Sequence, residues 1–156
     1  MVVKLPKMTE KEIQEVIQKN NICRIAFIDH EFPYISPFQY LYENDILYFH
    51  LTDYGKKVKI LKKNNNVCVA IEEFDEDLSQ FQFISIQGKL IELKDLEHKK
   101  VIAKKMVEQA STQYSKQFLK AHGFKKEDDW DKFSSDKSLR IFKLKERGKR
   151  VALKSG

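Results

Sequence analysis

The sequence predicts a mainly β fold, an antiparallel barrel with accessory α-helices. Three observations carry this expectation. Apolar, β-branched runs cluster in the first two thirds of the chain and are separated by tight turn signals. Helical periodicity is confined to an N-terminal stretch, one short Lys-rich stretch and the region after residue 94. Strands and helices therefore do not alternate one for one, as a parallel sheet would require.

Each element has its own signal. Thr9-Glu10-Lys11-Glu12 is a capping box, and Ile13, Val16 and Ile17 follow at helical spacing up to Asn20-Asn21. Ile22 to Ile28 reads as a strand, Asp29 to Pro33 as a turn, and Tyr34 to Tyr42 as a second strand. Pro37 inside that strand marks an edge, a bulge or a place where a ligand meets the backbone. A turn at Glu43-Asn44-Asp45 leads to a third strand, Ile46 to His50. Gly55 to Asn64 reads as a short helix with Val58 and Leu61 inward.

Val67 to Glu73 is a fourth strand and Phe81 to Leu93 a fifth, joined by an acidic loop. On the fifth, Ile84 and Ile86 take one face and Phe83, Ser85 and Gln87 the other, and Gly88 marks a bend or bulge. Asp95 caps a helix running to about Gln109, with Leu96, Val101 and Met106 among its apolar positions. A helical piece, Ser115 to His122, ends at Gly123. Phe124 to Asp136 is polar and irregular apart from Trp130 and Phe133, which read as an anchor onto the barrel, the alternative being a reach across to a second subunit. A last strand, Leu139 to Leu144, precedes a basic tail.

Composition bounds the function classes. The chain has 156 residues, 42% hydrophobic and 33% charged, the profile of one soluble globular domain. Its longest apolar runs are too short to span a bilayer, and Met1 to Lys7 reads as a start, not a signal peptide. Cys23 and Cys68 sit in apolar runs without metal-ligand spacing, which reads as two core thiols of a cytoplasmic protein. The net charge of +6 is localised: from Lys137 onward eight basic residues face one acid, Glu146, and the rest of the chain sums to −1. A small basic barrel binding nucleic acid is thus an alternative that rests on the tail and the barrel aromatics alone. His30, His98 and His122 are scattered and read as surface residues; they suggest no metal set. The acidic loop lacks calcium-loop spacing, and no Ser-His-Asp or Cys-His arrangement can be argued.

The informative segment is Thr52-Asp53-Tyr54-Gly55-Lys56-Lys57, where a strand ends and a helix opens on two lysines. Lysines there oppose the helix dipole, and a bound phosphate reverses that sign. The alternative is a solvated Lys-rich helix face, since Lys59, Lys62 and Lys63 follow. There is no Walker loop.

Taken together, residues from about 9 to 93 resemble the FMN-binding split-barrel family, which includes pyridoxamine-phosphate oxidases and nitroimidazole-resistance reductases. The matching features are Pro33-Tyr34-Ile35-Ser36-Pro37-Phe38, Asp45-Ile46-Leu47-Tyr48-Phe49-His50, Gly55-Lys56-Lys57 with Leu61, Asn64 to Val69, and the strand leading to Gly88. The resemblance implies a six-stranded split barrel that forms a homodimer, with FMN between the subunits. It implies that Lys56 and Lys57 hold the phosphate, that Ser36, Pro37 and Phe38 lie along the flavin ring, and that His50, Leu51 and Thr52 line the phosphate and ribityl side. Ser85 joins these as a cofactor contact. His50 has a second reading, a barrel-mouth histidine bonded to backbone. The implied activity is electron transfer from a reduced nicotinamide to a small-molecule acceptor. Other members of the wider group bind a deazaflavin or haem in the same groove. Phe83 stands where the oxidases carry Gln, and Arg140-Ile141-Phe142 lacks their Arg-x-His pair. Both departures argue against pyridoxamine-phosphate oxidation and toward the nitroimidazole-reductase side.

Overall fold

The computed structural model describes residues 3–121 and 139–156. Helix α1 (Glu10–Lys19) opens on the expected capping box: Thr9 accepts from the Glu12 amide at 3.2 Å, and the Thr9 amide donates to the Glu12 carboxylate at 2.8 Å. Strands β1 (Ile22–Asp29) and β2 (Phe32–Gln39) form a hairpin around His30-Glu31. Strands β3 (Leu41–Glu43) and β4 (Ile46–Thr52) turn at Asn44-Asp45, both at positive φ, the conformation a two-residue hairpin needs. Helix α2 (Lys56–Lys63), β5 (Asn66–Phe74) and β6 (Phe81–Glu92) follow. Helices α3 (Leu96–Gln113) and α4 (Lys116–Ala121) precede β7 (Leu139–Lys154).

All seven strands belong to one antiparallel sheet in the order β2-β1-β5-β6-β7-β4-β3. Its two edges, β2 and β3, are separated in the chain by Tyr40 alone, so the sheet must curl until the edges nearly meet. The result is a split barrel. Seven strands replace the six expected because the run Tyr34 to Tyr42 breaks at Tyr40. The Tyr40 hydroxyl donates to the Ile17 carbonyl at 2.7 Å and its amide to Asn21, and the chain there leaves β1 for β4.

Inside the curl, Ile25, Phe27, Phe49, Val69, Ile71, Ile84, Ile86 and Leu90 form the core, with α1 and α2 closing it through Ile13, Ile17, Val58 and Leu61. Burial of each such side chain contributes about 1.5–3 kcal/mol. A second cluster lies on the outer side of β3, β4 and β7, where α3 lays Ile102 and Ala103 against Leu41, Tyr48 and Ile141. The buried stripe of α3 is thus not quite the expected one. Leu96 and Val101 are exposed, while Met106 packs as read.

Two other expectations change. The basic tail is the second half of β7, which pairs with β6 as far as Lys154. Its alternation of Val151 and Leu153 against Ala152, which packs on the core, is obscured in sequence by the intervening charges and by Gly148 at φ +85°. Cys23 is buried, and burial pushes its thiol up to about 12. Cys68 instead is half-buried on the outer face, with its Sγ 3.1 Å from Ser85 Oγ. Gly88 does sit at the β6–β7 register shift. His122, Gly123, Trp130 and Phe133 lie outside the described residues.

β6 and β7 are also joined by a two-pronged ion pair. Arg140 Nε donates to Glu92 Oε1 at 2.7 Å and Nη2 to Oε2 at 2.5 Å. The Arg140 hydrogen bonds hold the Glu92 carboxyl below its ordinary range, aided by the guanidinium charge and opposed by burial. A lowered folded pKa means stability that is complete above the unfolded value, about 4.3, and is lost as pH falls through the folded value. Glu92→Gln should therefore cost about 1 kcal/mol near neutrality, and the gap from wild type should close below about pH 4 in urea unfolding. A gap that persists unchanged in acid would assign the loss to packing instead of charge.

Candidate cofactor site

The segment after β4 is built by a strand that dives into the core. Leu47, Phe49 and Leu51 point inward, and Thr52 emerges exposed. Its hydroxyl donates to the Tyr54 carbonyl at 3.0 Å, turning the chain toward α2. Gly55 is the N-cap residue of α2 at φ +100°, a conformation that side-chain-bearing residues rarely adopt. Having no side chain, it cannot cap. The first turn holds no acid, and the first helical bond runs from the Lys59 amide to the Gly55 carbonyl. The amides ahead of it have no acceptor within the helix.

The two lysines of this turn have different surroundings. Lys56 Nζ is 2.9 Å from Asp29 Oδ2 and 4.5 Å from the centre of the Tyr34 ring. The Lys56 hydrogen bond, with smaller help from its charge, His30 and Lys63, holds the Asp29 carboxyl below its ordinary range. Lys57 Nζ donates to Ser36 Oγ at 3.3 Å and lies 4.7 Å from the Phe38 ring centre. No carboxylate pairs with Lys57 among the described residues. Ser36 is buried at 7% exposure, and Phe38 meets Phe49 edge-on at 6.0 Å, so the ammonium rests on the margin of the core.

The predicted positions thus divide. Ser36, Phe38 and Lys57 touch one another; Lys56 stands beside them on Asp29 and Tyr34. Thr52 enters the same loop, with Leu51 buried and His50 half-buried behind it, opposite Arg140 and Ile141 of β7. Pro37 is exposed on the other face of β2, opposite Arg24. Ser85 is three strands from β2, on the outer face of β6 opposite Ala70 and Val151, and no contact joins it to the lysines within one chain. Asp29 and Tyr34 are partners that sequence reasoning missed. The available signal was the seven-residue spacing of Lys56 and Lys63, which sets both on the side of α2 that meets the β1–β2 turn.

Among the described residues, an uncapped helix start and a lysine without a counter-carboxylate form a set of spare N–H donors. That set fits a phosphate. Among the described residues no group of three His, Cys, Asp or Glu side chains could hold a metal ion, and no helix is long and apolar enough to cross a membrane.

The family model for pyridoxamine 5'-phosphate oxidase matches residues 9–127, and the chain belongs to that family. An FAD-binding protein from Mesorhizobium loti superposes with a TM-score of 0.66 at 18% identity, over 99% of this chain and 100% of the other. A candidate 5-nitroimidazole antibiotic resistance protein from Bacteroides thetaiotaomicron gives 0.68 at 21%, over 97% and 90%. A haem storage protein from Vibrio cholerae gives 0.67 at 16%, over 93% and 94%. At these identities the likeness establishes the fold. No curated protein sequence matches the chain.

Proposed function

We propose that this member of the family is an FMN-dependent oxidoreductase that works as a homodimer in the cytoplasm. The observation that carries the reading is Lys57, a cation that no carboxylate pairs with among the described residues, at the uncapped head of α2. Bound there, FMN would supply the hydride and electron chemistry, and the protein would supply binding, orientation and exclusion of water. Lys57 and the first-turn amides would hold the phosphate, and the Thr52 hydroxyl would join them by turning from the Tyr54 carbonyl. The backbone of Ser36 to Phe38 would run along the ring, offering a carbonyl but no N–H at Pro37. His50 and Leu51 would flank the ribityl chain. Hydride would come from a reduced nicotinamide and pass to a small-molecule acceptor, which requires no nucleophile or general base from the chain. Two free cysteines, one of them buried, suit a reducing compartment.

The homodimer reading rests on the outer face of the sheet. Where α3 does not cover it, that face exposes Ile22, Ile28, Ile35 and Val151, with exposures of 57%, 48%, 60% and 43%. A second copy would bury this apolar surface. Ser85, on the same face, would then belong to the partner's side of the flavin. A dimer of the 18.5 kDa chain is expected in sedimentation, and Ile35→Asp should yield a monomer with weakened flavin binding. A wild-type monomer that binds FMN fully would remove the partner from the site.

The oxidoreductase reading is tested by adding reduced nicotinamide, without oxygen, to the protein loaded with FMN. The visible flavin absorbance should bleach much faster than that of free FMN. Bleaching no faster than in free solution would leave a flavin carrier. Competition by haem or a deazaflavin for the same site would change the ligand and keep the groove.

A further inference from the structure

We propose that Asp29 divides the two lysines at the head of α2 between two tasks: Lys57 takes the phosphate, and Lys56 clamps the β1–β2 hairpin that lies under the ligand. This inference rests on the phosphate reading of the site. Its basis is helix geometry. Consecutive residues on a helix are turned by about 100°, so Lys56 and Lys57 cannot face one target along one direction. Residues seven apart return to the same side, so Lys56 shares its stripe with Lys63.

The β1–β2 turn answers that stripe residue for residue. Asp29 Oδ2 lies 2.9 Å from Lys56 Nζ, and His30 Nε2 lies 3.4 Å from Lys63 Nζ. Helix α2 is thus pinned to consecutive turn residues at its first and last positions. The Lys56 ammonium is further seated over Tyr34, two residues before Ser36 on the same strand. Lys57 is turned away from this clamp. Among the described residues its contacts are the Ser36 hydroxyl and the face of Phe38, neither of which carries a charge. An arriving dianion finds one lysine already neutralised by Asp29 and the other only solvated by a hydroxyl and a ring. It would also meet repulsion from Asp29 if it moved toward Lys56. Asp29 is in this sense a positioning residue: it holds Lys56 off the phosphate and fixes strand β2 through the hairpin.

The test compares FMN, riboflavin and inorganic phosphate binding in four proteins: wild type, Lys57→Met, Lys56→Met and Asp29→Asn. Methionine keeps most of the aliphatic stem. Lys57→Met should weaken FMN about ten- to hundred-fold and leave riboflavin within about threefold. Lys56→Met should leave the FMN-to-riboflavin affinity ratio within about threefold of wild type, whereas Asp29→Asn, which removes the repulsion and releases Lys56, should raise it about three- to tenfold. Both should speed amide exchange in the hairpin from Phe27 to Ile35, and the double variant should do so no more than either single one. The assignment is overturned if Lys56→Met lowers the FMN-to-riboflavin ratio as much as Lys57→Met. It is overturned equally if Asp29→Asn leaves the FMN-to-riboflavin ratio unchanged, which would show that Asp29 does not hold Lys56 off the phosphate. Phosphate binding that is lost with Lys57→Met and kept with Lys56→Met, in a protein that takes up neither flavin, would sustain the division of lysines and sink the flavin reading. A wild type that binds none of the three probes would overturn both.

Discussion

Phe49→Ala is expected to remove about 3–5 kcal/mol of stability, a large part of the 5–15 kcal/mol that holds a domain of this size together. Phe49 is fully buried in β4, paired with Phe142 of β7. Its ring meets Phe38 edge-on at 6.0 Å, and Phe38 in turn lies 6.0 Å from Phe27. These three rings join β4 to β2 and β1 across the interior of the curled sheet. Truncation would empty that junction, because the barrel walls are held by strand pairing and cannot collapse inward. Phe38 also carries the Lys57 ammonium on its face, so the cavity should loosen the proposed phosphate site as well. The urea midpoint should drop sharply, and FMN should restore part of the loss through its preference for the folded state. A loss under about 1.5 kcal/mol would show that the interior refills, contrary to a core built around this aromatic chain.

Gly88→Ala is expected to cost about 2–3 kcal/mol, although it adds a single methyl group. A Cβ at Gly88 would stand 2.6 Å from the Lys145 carbonyl oxygen and 2.9 Å from Leu144 Cδ1. The leucine can turn aside; the carbonyl belongs to the backbone of the neighbouring strand and cannot. Relief would require β6 and β7 to part at the bulge, where their register shifts between Ile86 and Gly88. Urea unfolding of the variant would show the cost, and amide exchange should rise along Lys145 to Arg150. A cost below about 0.5 kcal/mol would mean that the bulge is free to move.

Most of the barrel was legible in the sequence because its signals are local. The Thr9 capping box, the Asn44-Asp45 turn, the Gly55 start of α2 and the Gly88 irregularity each depend on a few neighbouring residues. The break at Tyr40 was not legible, since it is set by a hydrogen bond to Ile17 and by the closure of the sheet. The extension of β7 through Lys154 was hidden too. Its outward residues are mostly lysine and arginine, and its pairing partner, β6, lies some sixty residues earlier. On α3, apolarity pointed to Leu96 and Val101, but the neighbouring strands cover the side that carries Ile102 and Ala103.

The site divides along the same line. Gly55-Lys56-Lys57 stands out in the sequence as a candidate anion site or a solvated Lys-rich helix face, and the contact of Ser36 and Phe38 with Lys57 comes from the fold. The role of Asp29 is a matter of tertiary contact between α2 and a turn nearly thirty residues away, which no local pattern encodes. Ser85 faces outward from a different part of the sheet, away from the lysines of α2.

The central claim is that the head of α2 holds the phosphate of a flavin. FMN titration of the purified chain, followed by visible absorption with circular dichroism to verify the fold, tests it most directly. The account predicts a yellow protein, or uptake of one FMN per chain with a Kd in the micromolar range or tighter, about −8 kcal/mol or better. A folded chain that stays colourless and takes up no FMN would contradict it.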